Sequence, residues 1–444
     1  MERMTFCNHK LHASFNDGLQ TCERPTLEAL EPVAAFTCSQ LHALPAYATR
    51  CKYSALCAPC LQRFSLKQGQ KLPTLMHEAS SILTLPKKGF VKVKVADLFS
   101  GVGGLSLGFK QVGFEITFAV EFDKDIADAY SKNHVGTAMY NIDICELDAH
   151  ALKARHGEID VIVGGPPCQG FSQKGKRLNV KDDRNFLFRQ YVRFVDVFRP
   201  KYFVIENVPN IISTANGYFK DEIIKEFSAL GYDVKADIFD VSEFGVPQRR
   251  RRALFIGQIG KNTVGFPVPT GRRVTVGEAI SDMIPLESGC GEELSAYLCP
   301  PKNTYQKMMR KGVRGGVRNH QATSHSEIAL TRMRMIPKGK GKEVLPPEHR
   351  TKSIYSGTWC RLIEDDIAST IATRFDTPSS GRFTHPIQNR CITVREAARL
   401  QSFPDNFVFY GTKTSQMKQV GNAVPPMFAN AIAQTILSAN GGKQ

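Results

Sequence analysis

From Val91 to about Gly257 the chain alternates apolar runs of strand length with glycine-marked turns and stretches of helical periodicity. That alternation narrows the fold more than any other feature. Strands are expected at 93–99, 115–122, 159–163, 202–206, 232–240 and 253–257, with a further short strand before Asp143. Helices are expected at 105–111, 125–133, 186–198 and 219–230, the last stopped by Gly231. Repeated β–α units join parallel strands, so the expected class is α/β, a doubly wound, mostly parallel, Rossmann-like sheet. Beyond Gly260 the alternation stops, and Gly, Pro and basic residues become frequent as far as about Arg390. Two helices, 394–401 and 425–437, are expected to return to the α/β layer. The expected organisation is an α/β domain of 91–258 plus 393–444, a smaller inserted lobe of 259–392, and an N-terminal appendage of 1–90.

Charge suggests what the lobe is for. The 444 residues hold 58 Lys+Arg against 42 Asp+Glu. Residues 91–247 hold 19 basic against 22 acidic, 248–400 hold 26 against 13, and 302–352 alone hold 13 against 3. A solvated basic face needs no such localisation, whereas a surface for a polyanion does. No apolar run approaches the ~20 residues of a membrane span, and the amino terminus has no signal-peptide core. A cytoplasmic protein with no membrane partner is expected. There the 12 cysteines are thiols or metal ligands, not disulfides. Six fall in 1–90, which lacks periodicity. Cys51, Cys57 and Cys60 contain a single C-x2-C, a thin zinc signal. The segment is expected to be a disordered or zinc-binding appendage, with Met76 able to serve as the working start.

Gly164-Gly-Pro-Pro-Cys168-Gln follows the apolar run 159–163. A strand ending in this loop delivers a thiol to the carboxyl edge of the sheet, where α/β enzymes hold their ligands. The two prolines stiffen it. One thiol on a stiff loop suits nucleophilic catalysis; the alternative is a buried, inert cysteine. Asp97-Leu-Phe-Ser-Gly101-Val-Gly103-Gly104-Leu105 joins the first strand to the first helix, and its glycines let a ligand approach backbone at a helix N-terminus. Ser106 stands where a dinucleotide fingerprint has its third glycine. Glu121 ends the second strand 20 residues after Gly101, where a carboxylate grips ribose hydroxyls. Phe122 can stack on a base, and Asp143-Ile144 can cap an adenine amino group. The Lys-Ser/Thr pair of a phosphate loop is missing, so an adenosine-bearing cofactor without pyrophosphate fits best.

Six motifs stand in one order: Asp97–Leu105, the Pro-Pro-Cys-Gln of 166–169, Glu206-Asn-Val208, Gln248-Arg-Arg-Arg-Arg252, Arg395-Glu-Ala-Ala-Arg-Leu-Gln-Ser-Phe-Pro404 and Gln419-Val-Gly-Asn-Ala-Val-Pro-Pro426. In this the chain resembles DNA (cytosine-5) methyltransferases, specifically the bacterial restriction-modification members, over residues 93–438. The resemblance implies S-adenosylmethionine as cofactor. It implies contacts to it from Phe99, Gly101, Gly103, Gly104, Leu105, Glu121, Phe122, Asp143 and Ile144. Pro167, Leu187, Asn422 and Val424 complete that set. It makes Cys168 the nucleophile and sets Glu206 and Arg252 on the target cytosine. At strand spacing Arg250 shares a face with Arg252, so both are candidates for the site. No metal is expected there. The stretch between the Arg run and Arg395 is implied to be the target-recognition region.

The chemistry fits these residues. Carbon 5 of cytosine is a poor nucleophile until a thiolate adds to carbon 6 and pushes electron density onto carbon 5. The ring then carries charge at N3 and O2, where a protonated Glu206 and an arginine could donate. A stacked base is out of reach, so the cytosine must flip, at a cost on the order of a few kcal/mol. Trp359 and Arg314-Gly-Gly-Val-Arg318 could fill the gap or track phosphates, Trp359 being equally able to be lobe core. The expected partners are double-stranded DNA and, functionally rather than in a stable complex, a restriction endonuclease; a monomer is expected. Two rivals are an RNA cytosine-5 methyltransferase and a DNA-binding protein with an inactive core. Intact Cys168, Glu206 and glycine loop argue against the second.

Overall fold

The structure, a computed structural model, describes residues 92–167, 186–260, 264–351 and 357–441. The appendage 1–90, with Met76, and Cys168 itself lie outside the described residues. Strands and helices alternate as β1 (Lys94–Leu98), α1 (Gly104–Val112), β2 (Glu115–Val120), α2 (Lys124–Asn133), β3 (Ala138–Tyr140), α3 (Ala149–His156), β4 (Val161–Gly164) and α4 (Phe186–Phe198). They continue as β5 (Tyr202–Asn207), α5 (Asn210–Ser213), α6 (Tyr218–Ala229), β6 (Tyr232–Asp240) and β7 (Arg251–Ile259). The seven strands lie in the order β3-β2-β1-β4-β5-β7-β6. The first five are mutually parallel, and β7 runs antiparallel between β5 and β6. The connection from β6 to β7 is too short for the crossover a parallel pair requires, so β7 returns as a hairpin.

Period-two alternation sends the two faces of each strand into separate cores. Val95, Val161, Val163 and Val204 pack with Phe109 of α1 and with Phe428, Ile432 and Ile436 of the last helix. Ala96, Leu98, Ile162, Phe203 and Ile205 pack with Phe194 and Phe198 of α4 and Phe227 of α6. Between β7 and Arg390 the elements are short: α7 (Val276–Ile280), β8 (Leu294–Ser295), α8 (Thr304–Met309), β9 (Val317–Arg318) and α9 (Glu327–Met335). Then come α10 (Val394–Leu400), α11 (Lys413–Asn422) and α12 (Pro426–Ala439). The two expected returning helices part company. α12 joins the sheet core, whereas Val394, Ala397 and Leu400 of α10 pack with Val276, Ile371 and Ile392 as well as Ile126 of α2. One core runs continuously across Ile392 and Val394.

α10 is held by buried charge rather than by apolar contact alone. Arg390 grips both oxygens of Glu396 at 2.8 Å each, and Arg399 reaches Asp282 at 2.9 Å and Asp405 at 2.6 Å. Burial pushes the Glu396 carboxyl up, but the Arg390 guanidinium beside it outweighs this and holds it well below the usual carboxylate range. His385 is buried and neutral: its Nδ1 accepts the backbone N–H groups of Ile387 and Gln388 at 3.2 and 3.1 Å. Burial pulls its imidazole down to about 4, Glu396 opposing and Arg390, His320 and Arg361 adding to the shift. A histidine depressed in the fold contributes stability above its unfolded value near ~6.5, lost as pH falls toward the folded value. Melting temperature should therefore be level above pH ~6.5 and drop below it, with a loss of about 2 kcal/mol by pH ~5 from this group alone. A His385→Gln protein with an equally steep acid limb would show that the loss arises elsewhere.

Candidate active site

Five strands end on one rim, and each end contributes to one cavity of about 730 Å³: Phe99 after β1, Glu121 after β2, Asp143 beyond β3, Gly165 after β4 and Glu206 on β5. The order of strands reverses between β1 and β4, the topological switch at which a doubly wound sheet opens a crevice. From the other side the cavity is closed by Asn422 and Val424, between α11 and α12. A Cβ on Gly104 would lie 2.1 Å from the carbonyl oxygen of Val424, so only glycine lets the start of α1 meet this wall.

One half of the cavity carries the groups that could hold an adenosyl moiety. Both Glu121 oxygens are anchored, Oε2 by the Gly101 N–H and Oε1 by the Asp123 N–H, each at 2.9 Å. A carboxylate has about four acceptor positions, so two remain for the ribose hydroxyls. The Phe122 ring is 74 % exposed beside it, a face on which a purine can stack. Asp143 accepts the Cys145 N–H on Oδ1 at 2.9 Å and lines the cavity. Leu105, Ile144, Pro167 and Leu187 supply apolar wall. Gly103 is the one expected contact not on the lining; it sits behind the loop at φ 93°, where a Cβ would come within 2.2 Å of His134 Nε2.

The loop has a support that the motif comparison missed. Ser106 Oγ donates to Asp97 Oδ2 at 2.6 Å, and Tyr130 OH lies 2.7 Å from the same hydroxyl. Ser106 is thus no failed glycine: it fastens α1 to β1 and α2. Burial pushes the Asp97 carboxyl up to about 7 against the Ser106 hydrogen bond. The signal was an aspartate inside an otherwise apolar strand.

The other half carries the charge pair. Arg252 Nε lies 2.8 Å from Glu206 Oε1, both nearly buried. Burial pulls the Arg252 guanidinium down, and Glu206 opposes it. Asn207 Nδ2 donates to the Pro166 carbonyl at 2.8 Å and so fixes the stem of the loop that leads to Cys168. Of the four arginines, Arg249 points outward to Asp366 at 2.8 Å and Arg251 is exposed. Arg250 is inside but has a different task from the one expected. Its guanidinium donates to the carbonyls of Ile371 at 3.1 Å, Gly421 at 2.9 Å and Ala423 at 3.2 Å. Those bonds make it a positioning residue that ties 371 to the wall at 421–424. Trp359 is 6 % exposed and packs with Ile336 and Leu345, so it is core and no gap filler.

Known proteins match this arrangement. The C-5 cytosine-specific DNA methylase family covers residues 93–438. The chain is 38% identical to the Type II methyltransferase M.DdeI of Desulfomicrobium norvegicum over 372 residues, 78% of this chain and 88% of that one. It is also 38% identical to the Type II methyltransferase M1.HphI of Haemophilus parahaemolyticus over 355 residues, 78% and 86% of the two chains. Among solved structures, a Dnmt2 methyltransferase of S. pombe aligns with TM-score 0.50 at 16% identity over 79% of this chain and 100% of that one, which speaks to fold alone. With the glycine loop, Glu121 and the Glu206–Arg252 pair on one rim, the chain belongs to the C-5 cytosine-specific DNA methylases of the bacterial restriction-modification type, enzymes that transfer a methyl group from S-adenosylmethionine to carbon 5 of cytosine in DNA.

Proposed function

We propose that the enzyme methylates one cytosine within a specific double-stranded sequence after flipping it into the cavity, through a covalent adduct of Cys168 at carbon 6. The observation that carries this reading is the Glu206–Arg252 pair, 2.8 Å apart at the mouth of the cavity, beside a loop stem that Asn207 anchors two residues before Cys168. Cys168 adds to carbon 6; Glu206 donates at N3 and Arg252 at O2 as charge develops there. Bound S-adenosylmethionine supplies the electrophilic methyl. Water takes the carbon 5 proton, the electron pair of that bond re-forms the 5,6 double bond and expels the thiolate, and N3 returns its proton to Glu206.

The basic stretch 302–352 is proposed to hold the duplex. Lys307, Lys311 and Arg314 are exposed there. Neutralising these three should flatten the slope of log affinity against log salt by roughly 2–3. An unchanged slope would put the phosphates on another face. The type II relatives support protection of host DNA from a partner endonuclease; a cytoplasmic monomer is part of the proposal and does not rest on them. Among the described residues no helix is long and apolar enough to cross a membrane. Bisulfite sequencing of DNA from an expressing host tests the reading: methylcytosine should appear at one recurrent duplex sequence. Methylation of transfer RNA and not of DNA would overturn it.

A further inference from the structure

Part of the 730 Å³ cavity is accounted for neither by Glu121 and Asp143 nor by the Glu206–Arg252 pair. Residues 101–104 and 418–424 line it, and these two stretches meet where Gly104 approaches the Val424 carbonyl. Lys418 stands on α11 four residues before Asn422, hence about one turn away on the same face. Both residues line the cavity. The end of that face is fixed, because Arg250 holds the carbonyls of Gly421 and Ala423.

Charge sets Lys418 apart. The other lining cations are committed, Arg252 to Glu206 at 2.8 Å and Arg250 to three backbone carbonyls. Lys418 is exposed, and among the described residues its ammonium group has no ion pair or hydrogen bond. It therefore offers three donors and a full positive charge to whatever enters. S-adenosylmethionine has one anionic group, the carboxylate of its amino-acid end. Three arms leave its sulfur. The adenosyl arm fits Glu121 and Asp143, and the methyl must face the half that holds Glu206 and Arg252. The amino-acid arm is left with the stretch between 101–104 and 418–424. Glu121 accepts the Gly101 N–H at 2.9 Å, so a ribose on that carboxylate lies where this stretch begins.

We infer that Lys418 binds the carboxylate of S-adenosylmethionine and so selects a cofactor whose amino-acid end is intact. The inference rests on the use of that cofactor and not on the proposed covalent route or duplex specificity. The test is calorimetric titration of the full chain, without DNA, with S-adenosylmethionine and with its decarboxylated form, which lacks that carboxylate alone. The wild type should hold the intact cofactor about 10-fold or more tighter, the scale of a hydrogen bond between charged groups. Lys418→Met should weaken the intact cofactor by about 10-fold and leave the decarboxylated form unchanged. Lys418→Arg, which keeps the charge, should restore most of the loss. A wild-type chain that holds both forms equally, a Lys418→Met chain that keeps the preference, or one that loses both ligands alike overturns the assignment. If Lys418→Met weakens only the binding of a duplex, the lysine serves a phosphate and the assignment falls. A wild-type chain that binds neither form brings down the cofactor reading itself, a result separate from equal binding of the two.

Discussion

Cys168→Ala should lose methyl transfer by roughly 10³-fold or more, the scale on which an enzyme loses its nucleophile. The wild-type enzyme should form a denaturation-resistant complex with DNA holding 5-fluorocytosine at the target. The argument is one of leaving groups. After methyl transfer the adduct normally collapses by shedding the carbon 5 proton. Fluorine cannot depart as a cation, so the sulfur–carbon bond stays. The cavity agrees with this role: the stem of the loop is pinned at Pro166 by Asn207, and Pro167 lines the wall. A trapped complex that persists in Cys168→Ala would mean that another group attacks.

Glu206→Gln should slow methyl transfer by roughly 100-fold or more, while S-adenosylmethionine alone binds about as before. Glutamine keeps the shape but cannot give up a proton as a carboxyl does. It also replaces the carboxyl group that lies 2.8 Å from Arg252 Nε, so a modest fall in melting temperature is expected alongside. Cofactor titration in the absence of DNA separates the outcomes. The carboxylates that fit the adenosyl group, Glu121 and Asp143, lie beyond β2 and β3, with β1 and β4 between them and β5. A variant that no longer binds cofactor would make Glu206 part of the scaffold.

The sheet was legible because β1, β2, β4, β5 and β7 carry apolar runs that turn signals close, while β6, placed at 232–240, shows instead the alternation of a half-exposed strand. α3 was not, for a physical reason: it buries only Ala149 and Leu152, so its sequence has no apolar stripe to detect. α11 escaped in the same way, its buried face being Ser415, Met417, Gln419, Val420 and Gly421. The insertion was opaque because its helices run from five to nine residues and take their stability from tertiary contacts. Charge counting over 248–400 treated the arginines as surface, yet Arg390, Arg395 and Arg399 are fully buried. At the site, residue types and order pointed to the right rim. What they could not convey was direction: Arg250 and Arg252 are two residues apart, and only the carbonyls at 371, 421 and 423 decide that the first is a tie and the second faces Glu206.

The contact between Gly104 and the Val424 carbonyl bears on the order of synthesis. The two walls it joins are separated by 320 residues of chain. At about 5–20 residues per second a ribosome needs about 15–60 s to make the second wall after the first. Through that interval the glycine loop and Glu121 already exist, but the cradle stands open on the side that Asn422 and Val424 close. Ribosome-bound chains stalled before Ala423 should retain no radiolabelled S-adenosylmethionine on a filter, and retention there would show that the first wall suffices. On this geometry a nascent polypeptide marks no genome: competence arrives in one step, late in translation, and a prematurely released fragment is inert.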